Sequence, residues 1–324
     1  MGHSGDASRT IDVQTHYVPP AAVGLVKALH KAGHRTPGLG TLQGGDPKLG
    51  LDQRLRVMDE AGIATSLLSF APIGVIADQH LAIALCRAAN DGMLEACAAH
   101  PDRFVMAAVL PFPNPANADN ELTRIAQEPA LRAVQIIAST TRYLPEDDCY
   151  EPIYRRAATA QLPLILHPTA GQSDLAPQFD AYGLSSGMHA MISHALVAAR
   201  MIQSGLLDRI PTLELILTHL GGILPFLIDR LDSRASGPAA FAPSHYLRTR
   251  LFVDACGYPA GPALRCAIEA LGAERVMIGS DWPSRPIAPA LAAIRELGLS
   301  EAAERAILRE TAARWFDPSR ARGH

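Results

Sequence analysis

The sequence predicts a single (β/α)8 barrel, an α/β fold, on three observations. Eight short β-rich runs alternate with longer stretches of helical spacing. Several runs, such as LPLIL and LELIL, are apolar on both faces, as parallel strands covered by helices must be. A chain of 324 residues suits one barrel, and no linker-like change of composition divides it. The competing architecture is a doubly wound open sheet. It would normally carry a glycine-rich phosphate turn after its first strand, where this chain has Thr15-His16-Tyr17-Val18-Pro19-Pro20.

In chain order, strands are expected over residues 10–15, 65–70, 104–110, 131–138, 162–167, 213–218, 249–255 and 275–280. The first helix, 52–61, continues the spacing of Leu51, Leu55 and Met58 and stops at Gly62. The next, 79–99, is rich in Ala and Leu and ends before His100-Pro101. Helices over 114–126, 151–160, 194–204, 220–231, 261–270 and 288–297 continue the alternation, and 300–314 closes the fold before a basic tail. Two segments fit poorly: 33–50, with six glycines and two prolines, and the polar stretch 168–188. Loops of that length are expected as lids or binding segments, each between a strand and the next helix, on the face where barrel enzymes place their chemistry. Residues 1–9 are expected as a flexible tail and 10–324 as one barrel domain.

Twenty-nine basic against thirty-two acidic residues leave a net charge of −3, which gives no electrostatic footprint for nucleic acid or an anionic membrane. With 48% hydrophobic residues, burial offsets chain entropy, so the chain is not disordered as a whole. The five cysteines are scattered without a CxxC pair, as expected of reduced thiols in a cytoplasmic protein. No apolar run approaches the ~18 residues of a membrane span, and the polar start MGHSGDASRT lacks the apolar stretch of a signal peptide.

The chemistry gathers at the C-terminal ends of the strands. Strand one ends Asp12-Val13-Gln14-Thr15-His16, and alternation puts Gln14 and His16 on one face. Strand five ends at His167, strand six at Thr218-His219 and strand eight at Ser280-Asp281. In a barrel these ends share one face, so three histidines and a carboxylate converge on one pocket. His, His and Asp are suitable ligands for zinc or manganese, and a further His can act as acid or base.

The stretches IDVQTHYVPP, RLRVMDEAGI, LPLILHP, SGLLDRIPTLELILTHLGGILPFLIDRLD and RVMIGSDWP, in that order, resemble the amidohydrolase superfamily. The resemblance is to the branch typified by aminocarboxymuconate-semialdehyde decarboxylase, which also holds aromatic-acid decarboxylases, hydrolases and hydratases, and covers roughly 11–316. It implies that His16 and His167 bind a divalent metal (Zn2+ or Mn2+), that Asp281 is a ligand and proton carrier, and that His219 is the acid/base. It also places Arg230 where relatives can hold a substrate carboxylate, and it implies a homodimer. The family usually opens with His-x-His, whereas this chain has Gln14-Thr15-His16. A neutral amide is a weaker donor than His or carboxylate. That leaves open a weakened metal site, a metal-free site, a repurposed pocket, or an introduced substitution at Gln14.

Other residues carry plainer readings. His30, His34, His80, His100 and His324 are expected to be structural, with His189, His194 and His245 intermediate because they flank active-face loops. Arg54 and Arg56 are expected on a solvated helix face, and Cys256 in packing. Trp282 is divided between packing and stacking on a planar substrate. Gly221-Gly222 is read as a turn, a close approach for substrate, or both.

The reading that follows is a non-oxidative decarboxylase of an aromatic or unsaturated carboxylic acid. An acid, His219 or Asp281 with a raised pKa, protonates the carbon bearing the carboxylate. The alternatives are a hydrolase of an amide or lactone, or a hydratase, using metal-activated water. A lapsed barrel is a third, with Gln14 as its support. Residues 129–141 contain no lysine, which speaks against the binuclear hydrolases that bridge two metals with a carboxylated lysine.

Overall fold

The computed structural model describes residues 10–33, 50–71, 76, 78–138, 144–168, 176–258 and 261–320. Eight parallel strands pair in chain order: β1 (Thr10–His16), β2 (Ile63–Ser69), β3 (Phe104–Val109), β4 (Leu131–Ala138), β5 (Leu164–Pro168), β6 (Leu215–Leu217), β7 (Leu251–Asp254) and β8 (Val276–Met277). Backbone bonds from Val13 N to Ile278 O at 3.0 Å and from Asp281 N to Gln14 O at 2.9 Å join β8 back to β1. The protein is a (β/α)8 barrel.

The barrel has two apolar layers, as strands buried on both faces require. Val13, Leu67, Ala107, Ala133, Ile165, Ile216, Phe252 and Met277 fill its interior. Phe316 and Ala312, from the end of the chain, pack into that interior cluster. The opposite faces of the strands meet the helices in a second, larger cluster that includes Leu68, Met106, Val134, Leu166 and Val253.

The covering helices are α1 (Pro20–Lys31), α2 (Leu51–Ala61), α3 (Gln79–Ala99), α4 (Pro115–Ile125), α5 (Glu151–Thr159), α6 (Ala190–Gln203) and the short α7 (Leu206–Arg209). They continue as α8 (Ile228–Asp232), α9 (Pro243–Thr249), α10 (Gly261–Leu271), α11 (Ile287–Glu296), α12 (Glu301–Arg305) and α13 (Ala313–Phe316). Side-chain caps start three of them: Asp78 accepts from the His80 and Leu81 amides before α3, Asn114 from the Asn117 amide before α4, and Ser300 from the Ala303 amide before α12.

Several expectations need correction. The helix expected over 220–231 is instead a turn, His219–Gly221, a second turn, Pro225–Leu227, and only then α8. Gly221 and Gly222 take φ of +70° and +65°, which no helix continues through. A Cβ on Gly222 would lie 2.3 Å from the Met191 carbonyl oxygen, so this glycine also lets the turn pack on α6. The closing helix expected over 300–314 is broken by a π-helical turn, Ala306–Glu310, between α12 and α13. Helix α1 was not expected; it begins with proline in its first turn, directly after the strand. The 33–50 loop therefore follows a helix rather than a strand, and residues 34–49 lie outside the described residues, as do the expected tail 1–9 and residues 169–175 of the second loop.

Candidate active site

Simple alternation from Val13, which faces the barrel interior, would turn Gln14 outwards. A bulge corrects this: Asp12 pairs with Ser66 and Thr15 with Leu68, so β1 spends one residue more than β2. Bulges of this kind re-aim side chains beside active sites. Gln14 and His16 both reach the barrel mouth as a result. The other strands need no such device, because His167 is in phase with Ile165, and Asp254 with Phe252.

At the mouth His16 Nε2 lies 3.0 Å from Asp281 Oδ1. The His16 and His167 ring centroids are 5.1 Å apart, and those of His167 and His219 5.6 Å. The four side chains taken from four strand ends thus meet. Backbone strain marks the same place. Of the five non-glycine residues with left-handed φ among the described residues, His219 (53°), Leu220 (55°) and Asp281 (62°) are at or beside the site. Such strain costs about 1–3 kcal/mol each and concentrates at functional sites.

Hydrogen bonds set which ring nitrogen faces the pocket. Ser69 Oγ donates to the Thr15 carbonyl at 2.9 Å, so towards His16 Nδ1, 3.2 Å away, the hydroxyl oxygen acts as acceptor. That assigns an N–H to Nδ1 and turns Nε2 towards Asp281. His167 Nδ1 lies 2.9 Å from the Pro168 carbonyl, which only accepts, so Nδ1 carries an N–H. Burial, reinforced by the charges of His16 and His219, holds the His167 pKa well below the usual imidazole range. His219 is also lowered, by burial first, with Asp281 and the Cys256 carbonyl opposing. Burial raises the Asp281 carboxyl, but the hydrogen bond and charge of His16, with His219 and His167, outweigh it and leave the pKa below the ordinary value. The expectation that His219 or Asp281 has a raised pKa is therefore overturned for the protein without substrate.

Sequence reasoning missed a second carboxylate. Asp254, wholly buried at the end of β7, accepts the His219 and Cys256 backbone N–H groups on Oδ1, each at 3.0 Å. Burial pushes its carboxyl up to about 8, against the pull of those two donors. Its one signal in the sequence was an aspartate at the end of an otherwise apolar strand.

The Gln14 amide spans the space between Asp254 and His167. One end of the amide lies 3.2 Å from His167 Nε2, and the other 2.7 and 3.0 Å from the Asp254 oxygens. Turned with nitrogen towards Asp254, it donates to both carboxylate oxygens, and its own oxygen faces His167 Nε2 at 3.2 Å.

Arg54 is a correction. It is not on a solvated face but 2% exposed, with Nη2 donating to the His16 carbonyl. Its guanidinium carbon stands 4.4 Å from the Trp282 ring centroid, and burial pushes its pKa down to about 9. Trp282, 6% exposed, is therefore packing for Arg54, and its expected alternative role against a substrate has no open ring face here. Arg230 is exposed on α8 and is not drawn into the cluster; the arginine whose charge bears on His219 is Arg285. Of the intermediate histidines, His189 and His194 are buried, with His194 close enough for its charge to couple to His219, whereas His245 is exposed on α9.

The donor chemistry fits a divalent cation. Among the described residues no three His, Cys, Asp or Glu side chains form a ready-made cage. The donors come instead as two facing pairs, His16 Nε2 with Asp281 Oδ1 at 3.0 Å and the amide of Gln14 with His167 Nε2 at 3.2 Å. The facing atoms of each pair are about 3 Å apart, the separation of neighbouring ligands around an ion with ~2.1 Å bonds.

A barrel with a histidine and carboxylate cluster at the C-terminal mouth defines a class of hydrolytic and lytic enzymes. The chain belongs to the amidohydrolase family, whose model matches residues 11–317. A gamma-resorcylate decarboxylase of Rhizobium sp. (strain MTP-10005) is 30% identical over 285 residues, 82% of this chain and 86% of the relative. The crystal structure of a 5-carboxyvanillate decarboxylase from Sphingomonas paucimobilis matches with a TM-score of 0.85 and 29% identity, covering 95% of this chain and 98% of that one. A dihydroxybenzoic acid decarboxylase from Polaromonas sp. JS666, solved with bound manganese and the inhibitor 2-nitroresorcinol, matches with a TM-score of 0.83 and 27% identity over 96% and 98% of the two chains.

Proposed function

We propose that this protein is a non-oxidative decarboxylase of an aromatic carboxylic acid bearing a ring hydroxyl. The observation that carries the reading is the meeting of His16, His167, His219 and Asp281 at one barrel mouth, in a chain whose relatives are decarboxylases of such acids.

His16, His167, Asp281 and the Gln14 carbonyl oxygen would hold a divalent metal. Mn2+ suits this set better than Zn2+, since half of the donors are carboxylate or amide oxygens. When bound, the metal supplies positive charge that anchors the substrate's carboxylate or hydroxyl. His219 provides the proton. Its ring is neutral without substrate, because burial dominates. An anionic substrate adds negative charge opposite it, which restores the protonated form when it is needed. The ring N–H then passes its proton to the carbon that carries the carboxylate. The carbon–carbon bond breaks, its electron pair returns to the aromatic ring, and carbon dioxide leaves. Water returns the proton to His219. Asp254 holds the His219 backbone and so keeps the left-handed turn that aims the imidazole.

An exposed apolar stripe supports a homodimer. Leu184, Met188, Ile192 and Leu196 recur every fourth residue into α6, and Ile223 and Phe226, the latter 80% exposed, come from the turn after β6. Exposed apolar patches of this kind mark association surfaces. Five free cysteines support a reducing, cytoplasmic setting. Among the described residues, no helix is long and apolar enough to cross a membrane.

The test is to incubate Mn2+-loaded enzyme with 2,6-dihydroxybenzoate and with 5-carboxyvanillate, following carbon dioxide release and the aromatic product. Turnover of one or both is expected. Release of no carbon dioxide from a panel of hydroxybenzoates, together with hydrolysis of a lactone or amide, would overturn the reading.

A further inference from the structure

We propose that Asp254 is a positioning residue for Gln14: it captures the amide nitrogen, so that the carbonyl oxygen faces His167 and a neutral side chain serves as a metal ligand. The proposal rests on the metal-site reading given above and extends it to a residue outside the ligand set.

Three observations carry it. First, the amide has two possible orientations, and Asp254 distinguishes them. With oxygen towards Asp254, the amide would set acceptor against acceptor at 2.7 and 3.0 Å; with nitrogen there, both contacts become hydrogen bonds, which favour the ionised carboxylate against the pull of burial. Second, Asp254 cannot turn away. The His219 and Cys256 backbone amides hold Oδ1 at 3.0 Å each, and the residue is wholly buried. Third, the fold leaves room for this pair and nothing larger. A Cβ on Gly279 would stand 3.0 Å from Asp254 Cγ and 3.1 Å from Gln14 Cβ, so the absent side chain is what lets the two approach. An amide here resembles a carboxylate ligand in shape but brings no charge of its own, and a buried carboxylate behind it orients and polarises the carbonyl.

Mn2+ affinity, read from the electron paramagnetic resonance signal of free Mn2+ during titration, tests this without reference to turnover. The wild type should bind Mn2+, and Asp254→Asn should weaken binding about 10- to 100-fold, because an amide at that position no longer selects one orientation. In a Gln14→Ala background the same substitution should change affinity by less than about twofold. The swap Gln14→Glu with Asp254→Asn rebuilds the amide–carboxylate pair in reverse and should bind at least as tightly as the wild type. Gln14→Glu alone, with two carboxylates facing each other, should bind at least tenfold more weakly than the swap. That last comparison serves should Asp254→Asn fail to fold by itself. Equal affinities in it, or an equal loss from Asp254→Asn with and without Gln14, would overturn the role of Asp254 while leaving the metal site standing. A wild type that takes up no Mn2+ would instead remove the metal site and this inference together.

Discussion

The guanidinium of Arg54, from the second helix, rests 4.4 Å from the ring centroid of Trp282 and donates to the carbonyl of His16. Arg54 thus joins the two strand ends that deliver His16 and Asp281. It also places a cation behind β1, where Asp12 is buried with its carboxylate bound to Ser280 Oγ at 2.6 Å.

Arg54→Ala should therefore destabilise the fold by about 3–5 kcal/mol, the usual cost of removing one partner from a buried charged network. Arg54→Lys should cost less but still be measurable, since the ammonium cannot both stack on Trp282 and reach the His16 carbonyl. Urea denaturation of the two variants checks the order. Equal stability of Arg54→Ala and wild type would show that the contact is dispensable.

The division of labour in the cluster predicts two distinct phenotypes. His219→Asn should lower kcat about 10²- to 10⁴-fold with metal content unchanged, as expected for loss of a general acid. His167→Ala and Asp281→Ala should instead deplete bound metal, measured by inductively coupled plasma mass spectrometry after gel filtration. Metal loss in His219→Asn would reassign that residue as a ligand.

His194 gives a pH dependence of stability. It is wholly buried on α6, and burial, helped by the charge of His219, pushes its pKa down from 6.5 to about 3. Between those values the unfolded chain binds a proton that the folded protein does not. The stability is thus fully present above pH 6.5 and is lost as pH falls through that window. The loss from this one group is about 1.4 kcal/mol per pH unit. In the presence of chelator, His194→Leu should reduce the slope of unfolding free energy between pH 6.5 and 5 by one proton's worth. An unchanged slope would place the proton uptake elsewhere.

The stripe on α6 predicts the assembly. Ile192→Glu combined with Met188→Glu should convert a dimer to a monomer by light scattering, with the far-ultraviolet circular dichroism unchanged. A wild type that is already monomeric at micromolar concentration would remove the stripe as an interface.

Much of the architecture is legible along the chain. Strand β4 and helix α3 coincide with the ranges read from composition and spacing, and the other strands shift only at their ends. Continuous apolar runs and helical periodicity are local properties, and so they survive without a tertiary view. The stretch after β6 departs from its helical spacing for the same reason. Its apolar residues have helical spacing, but the left-handed turn at His219 through Gly222 depends on packing against α6 and on the bond from His219 to Asp254.

The sequence by itself determined the order of the eight strands, and with it which residues stand at the ends of strands one, five, six and eight. Hydrophobic patterning is enough for that, since each strand must bury both faces. Only the tertiary structure decided that a bulge re-aims Gln14, that Arg54 is inside, and that Asp254 backs the Gln14 amide. These are contacts between residues far apart in sequence, and their energies depend on burial and on the orientation of polar groups. Neither quantity exists until the barrel closes.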